Sequence, residues 1–176
     1  MMITNKIVIK EVDELKSVLS QGNAEIPSFW VCIWPGFFLA MWNVFCAVIS
    51  VRSEYLDFKY IFWVMVFPGA IGLIILLGVA SARALFLSVP KFFREKSVTY
   101  GFFTKKLIVY AFVYMMVVML LAFYNRFVYD SPFPYAFMTL LTTIILGFVM
   151  NLDFGRYQLS LLTSAINSFR TERLRG

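Results

Sequence analysis

The chain has 176 residues, 61% hydrophobic and 15% charged, with 16 Lys and Arg against 10 Asp and Glu, and no His. Its mean hydropathy is +0.79. A soluble domain of this size is about half apolar and about a quarter charged, so an ordinary water-soluble fold is excluded, and the lack of histidine removes the commonest general base and metal ligand.

The N-terminal segment, residues 1–27, reads as a cytoplasmic amphipathic helix over 5–21. Val8, Val12, Leu15 and Leu19 line one face while Lys10, Glu11, Asp13, Glu14 and Lys16 supply polar positions. Gly22 stops it and Pro27 breaks the chain before the first apolar run. That run follows a mixed-charge segment without a signal-peptide cleavage pattern, so the first span is expected to act as its own insertion signal.

Four runs carry no charge at all, at about 28–51, 60–82, 107–125 and 133–152. A hydrocarbon core about 30 Å thick needs roughly 20 helical residues at about 1.5 Å each, and every run meets that length. Barrel strands would be shorter and would alternate polar with apolar, whereas these runs are apolar on every face. The expected fold class is therefore an all-α integral membrane protein, with residues 28–152 forming a bundle of four transmembrane helices. Cys32 and Cys46 both lie in the first run. Fourteen residues of helix separate them by about 21 Å, too far for a disulfide, so they read as buried thiols.

Two of the runs share a segment. Residues 29–36 read FWVCIWPG and residues 62–69 read FWVMVFPG. The aromatic residues suit a membrane interface and the proline removes a backbone donor. For the first copy, either the helix continues through Pro35 and leaves the Val31 carbonyl free, or Pro35 is the first helical residue, with FWVCIW in the headgroups and Gly36 after it. For the second, Pro68 and Gly69 lie too deep in the run to start a span, so a kink is expected there. The pair reads as two helices meeting the same constraint at opposite membrane faces.

The connection at 83–106 interleaves Phe86, Phe92, Phe93, Tyr100, Phe102 and Phe103 with Arg83, Lys91, Arg94, Lys96, Lys105 and Lys106, the composition of an interfacial segment. Asp153 and Gly155 are expected to break the chain after the fourth run. Leu159, Leu162, Ile166 and Phe169 then mark an amphipathic helix in a cytoplasmic tail, 153–176.

With four spans, the N-terminal segment, the 83–106 connection and the tail share one side and hold 13 of the 16 Lys and Arg. The positive-inside rule puts that side, and both termini, in the cytoplasm. Anchoring to membrane lipid explains this charge more simply than nucleic acid, which is not expected as a partner. No ionisable group lies within a span, and no activated nucleophile or phosphate-binding loop is present, so neither enzyme activity nor a cofactor or metal is expected. Asn43, the most polar residue well inside a span, suits a hydrogen bond between helices. Gly78 and Ala82 form a small-xxx-small pair suited to close helix contact, within the bundle or in a homo-oligomer.

The stretch VIKEVDELKSVLSQGNAEIPSFW, followed by WPG in the first span, resembles the TraS-type entry-exclusion proteins of F-like conjugative plasmids, small basic hydrophobic proteins of the bacterial inner membrane. The resemblance implies a protein that blocks redundant DNA transfer by recognising the large donor mating-pair protein TraG. A partner arriving from the periplasm meets only the two short outer connections, where Arg52, Glu54, Tyr55, Asp57, Arg126, Tyr129 and Asp130 offer polar or aromatic handles. A partner acting in the cytoplasm would meet the 83–106 connection and the amphipathic ends instead. An accessory subunit of a larger membrane complex, or a small transporter with Asn43 in its pathway, are the alternative readings.

Overall fold

The computed structural model describes residues 28–52, 58–60, 62–129 and 131–173, with the backbone alone for 59, 92, 93 and 156–173. The described residues form helices α1 (Phe29–Ser50), α2 (Phe67–Leu87), α3 (Lys91–Lys96), α4 (Val98–Val128) and α5 (Phe133–Arg173), with a 3₁₀ turn at Phe58–Tyr60 and a π-helical turn at Phe62–Val66. Four helical segments are long and apolar enough to cross a membrane: Phe29–Ser50, Phe62–Leu87, Val98–Val128 and Phe133–Gly155.

Helix α1 sits at the centre, packed most closely on α2 and then on α4, while α4 packs on α5. Cross-helix contacts fix the directions. Gly36 lies against Leu76, and Ala40 against Gly72, so α1 and α2 are antiparallel. Lys106 meets Asp153, and Tyr114 meets Thr143, so α4 and α5 are antiparallel. Trp42, Asn43 and Cys46 meet Met115, Tyr114 and Met119, so α1 and α4 run the same way. One end of the bundle therefore carries Ser50, Phe62, Val128 and Phe133, and the other carries Phe29, Leu87, Val98 and Gly155.

The core is small and built around Cys46, Ala47, Tyr114, Val118, Ala122 and Tyr135, with Trp42 and Met119 packed against it. Large apolar side chains such as Trp30, Phe112 and Phe148 point outward. In water such a surface would associate with other apolar surfaces; lipid solvates it instead.

The structure corrects two expectations. Helix α1 starts at Phe29, so it continues through Pro35, which is an interior residue and not the first helical one. The helix has already been initiated by backbone bonds from Val31 and Cys32 to the Ser28 carbonyl, and one missing donor does not undo it. The chain does not break at Asp153–Gly155, because α5 continues from Phe133 to Arg173. A single interior glycine costs a helix only about 1 kcal/mol, and the Asp153 carboxylate is engaged by α4 rather than by a turn. The basic connection, interfacial by composition, is mostly helical, since α2 runs to Leu87 and α4 begins at Val98. Ser97 caps α4 by accepting a 3.2 Å bond from the Tyr100 amide.

The amphipathic reading of residues 5–21 lies outside the described residues, as do the side chains of the corresponding C-terminal stretch.

Candidate functional site

The end of the bundle that carries Ser50 and Phe133 is built by capping between helices. The last carbonyls of any helix have no partner within it, and at the edge of lipid an unpaired carbonyl is costly. Three carbonyls at the end of α1 are met by side chains. Ser50 Oγ donates to the Ala47 carbonyl at 2.7 Å. Asn125 Nδ2 donates to the Ser50 carbonyl at 3.1 Å, and Arg126 donates to the Ile49 carbonyl at 3.0 Å. Two adjacent residues of α4 thus close the end of α1. Asn125 also reaches the Ser131 carbonyl at 3.2 Å, which ties in the connection to α5. Trp63, after the other connection, packs edge-on against Phe133 with ring centres 5.0 Å apart. The start of α5 and the π-helical turn that precedes α2 therefore meet at this end.

Of the residues expected to face a partner, Arg52 and Arg126 are exposed there. Tyr129 is exposed too, its ring edge-on to Tyr124 at 5.9 Å, and its amide bonds the Asn125 carbonyl. Glu54, Tyr55, Asp57 and Asp130 lie outside the described residues.

A second polar cluster crosses the middle of the bundle. Asn43 is fully buried. Its Nδ2 donates to the Leu39 carbonyl at 3.0 Å and its Oδ1 accepts from Tyr114 OH at 2.8 Å. Tyr114 OH lies 3.2 Å from Thr143 Oγ1, which donates to the Thr139 carbonyl at 2.8 Å. Trp42 Nε1 adds a 3.2 Å bond to the Met115 carbonyl. Asn43 therefore spends its amide oxygen on the α1–α4 contact and its amide nitrogen on a carbonyl of its own helix.

At the opposite end, Lys106 Nζ is 2.6 Å from Asp153 Oδ2, which also accepts from Tyr110 OH at 2.9 Å. The Phe154 ring packs tilted against Phe103 and edge-on to Tyr110. Each partner is the first charge beyond a charge-free run, so their pairing aligns the apolar stretches of α4 and α5.

The prolines and glycines separate by role. Gly36 and Gly72 hold the α1–α2 contact: a Cβ on Gly36 would lie 2.8 Å from Leu76 Cα, and one on Gly72 2.9 Å from Ala40 Cα. Gly69 has slack, with Val44 Cγ2 at 4.0 Å. Both glycines of the repeat thus face the partner helix, at opposite ends of one interface. Pro68 is buried in the first turn of α2, directly after the π-helical turn Phe62–Val66. That wide turn carries the chain past the residue that cannot donate an α-helical bond. Gly78 and Ala82 are both exposed, and among the described residues a Cβ on Gly78 would meet nothing within 4 Å.

Sequence reasoning thus missed Gly36–Ala40 as the small-xxx-small pair that packs, and missed Tyr114 and Asn125 as the cross-linking polar residues. The spacing of Gly36 and Ala40 carried the same signal as that of Gly78 and Ala82. Charge-free runs of similar length ending at Lys106 and Asp153 could have suggested their pairing.

No family model matches the chain, and no solved structure does. Among curated proteins, Protein TraS of Escherichia coli (strain K12) is 34% identical over 168 residues, covering 96% of this chain and 94% of its own length. The likeness spans the helices as well as the N-terminal third in which the resemblance was legible. The chain belongs to the TraS family of entry-exclusion proteins.

Proposed function

We propose that the chain sits in the inner membrane of a plasmid-bearing recipient, with both termini in the cytoplasm, and blocks redundant conjugative transfer by recognising the donor protein TraG. The observation that carries this reading is the likeness to Protein TraS across nearly the whole chain. The charge distribution supports the orientation, with 13 of 16 cationic residues on the side of the termini. The recognition surface is then the periplasmic end closed by Asn125 and Arg126, where the end of α1 is capped and the connection to α5 is pinned at Ser131. Pinning lowers the ordering entropy lost when a partner binds. The action is recognition, with no bond made or broken by this chain. The buried hydrogen bonds of Asn43 support a packing role for that residue over a transport pathway.

The test is a mating assay. Recipients expressing this protein alone should receive a matched plasmid far less often than empty recipients, and a mismatched plasmid at the normal frequency. An unchanged frequency from the matched donor would remove the proposal.

A further inference from the structure

A groove between the start of α4 and the Asp153 region of α5 has no part in the recognition surface. It encloses about 690 Å³. Val98, Gly101, Phe102 and Val109 form its apolar walls, and Lys105 and Lys106 stand at its lip. Its depth in the membrane follows from the sequence. Lys105 and Lys106 immediately precede the charge-free run 107–125, and Asp153 immediately follows 133–152. The 2.6 Å contact of Lys106 with Asp153 puts both boundaries at one level. Runs of that length match the hydrocarbon thickness, so the two lysines lie at the level of lipid phosphates.

The charge and shape then select an occupant. Asp153 balances Lys106, which leaves the net positive charge of exposed Lys105. Gly101 leaves open space beside it, because a Cβ there would meet nothing within 4 Å. Below the lysines the wall continues into the outward-facing side chains of Val109 and Phe112. The groove therefore suits a molecule with an anionic head and an apolar tail. Basic pockets between membrane helices hold anionic headgroups by this combination. We propose that the groove is a specific site for an anionic phospholipid, its phosphate beside Lys105 over Gly101 and its acyl chain along Val109 and Phe112. Free phosphate would use only half of these contacts.

The test uses the full chain in a bilayer disc of equal phosphatidylglycerol and phosphatidylcholine, with bound lipid counted by native mass spectrometry. The native chain should retain about fivefold more phosphatidylglycerol than phosphatidylcholine. Lys105→Gln and Gly101→Leu should each bring the ratio close to one. Gly78→Leu, on an open face of α2, should leave it unchanged. Circular dichroism and elution volume identify any variant that fails to fold, and the native comparison stands without variants. Equal retention of the two lipids by the native chain overturns the proposal, as does a preference that both folded variants keep. Cross-linking of residues 5–21 into a groove that retains no lipid also overturns it.

Discussion

Replacing Gly36 by alanine tests the packing directly. The new Cβ would sit 2.8 Å from Leu76 Cα and 3.0 Å from Leu76 O, where ordinary contact begins near 3.4 Å. Both atoms are backbone, so no rotamer change relieves the clash, and α1 and α2 must part by about 0.6 Å or more at that level. A radial gap of about 0.5–1 Å forfeits a quarter to a half of each dispersion contact, and this is the closest helix pair in the molecule. Overpacking of this kind costs about 1–3 kcal/mol, while removing an interior glycine returns up to about 1 kcal/mol. The expected net effect is a loss of about 1–2 kcal/mol, read as a lower denaturation midpoint in detergent titration. Gly78→Ala is the matched control: it meets nothing within 4 Å, so it should be neutral or slightly stabilising. Shortening Leu76 to alanine should not rescue Gly36→Ala, because the clash is with main-chain atoms. Equal stability of Gly36→Ala and the native chain, or rescue by the Leu76 change, would refute the packing argument.

Other expectations follow from the polar contacts. Tyr114→Phe strands the buried Asn43 Oδ1 and should cost about 1–2 kcal/mol, with Asn43→Leu/Tyr114→Phe costing less than the sum of the single changes; strict additivity would show that the two residues do not act together. Lys106→Ala and Asp153→Ala should show a coupling of about 1–2 kcal/mol, between the limits for exposed and buried pairs, because the pair is only partly exposed; a coupling abolished by moderate salt would mean the contact is a surface one. Asn125→Leu removes the donor to the Ser50 and Ser131 carbonyls and should speed trypsin cleavage after Arg52, and an unchanged cleavage rate would show that Asn125 does not secure that connection.

The membrane-spanning helices were legible because lipid imposes a one-dimensional rule: enough uncharged residues in a row make a span, whatever they pack against. The ends were less legible for the same reason. Lys105 and Lys106 were placed in the connection because they are charged, yet they continue α4 without interruption, since a charge limits the hydrocarbon and not the helix. Asp153 and Gly155 look like a stop, but a stop signal is weak when the aspartate already has a partner on another helix. Helix pairing was not legible. Gly36–Ala40 and Gly78–Ala82 are equivalent as spacings, and only the antiparallel match of Gly36 with Leu76, and of Ala40 with Gly72, separates the pair that packs from the pair that faces outward. Asn43 was visible as a polar residue in an apolar run. Tyr114 was hidden, because a tyrosine in an aromatic-rich membrane helix gives no sign that its hydroxyl is used. Asn125 was visible only as the edge of a span and Arg126 only as a handle for a partner, and their bonds to the end of α1 depend on the parallel placement of α1 and α4.

The measurement that bears most directly on recognition at the Asn125 end is the mating frequency of chimeras. In one, residues 51–61 and 126–132 come from a TraS-type protein of different specificity; in the other, only residues 83–106 are exchanged. The account predicts that the first chimera excludes the donor matched to the inserted connections, while the second keeps its original specificity. Unchanged specificity in the first, or a switch in the second, would place recognition elsewhere and contradict the account.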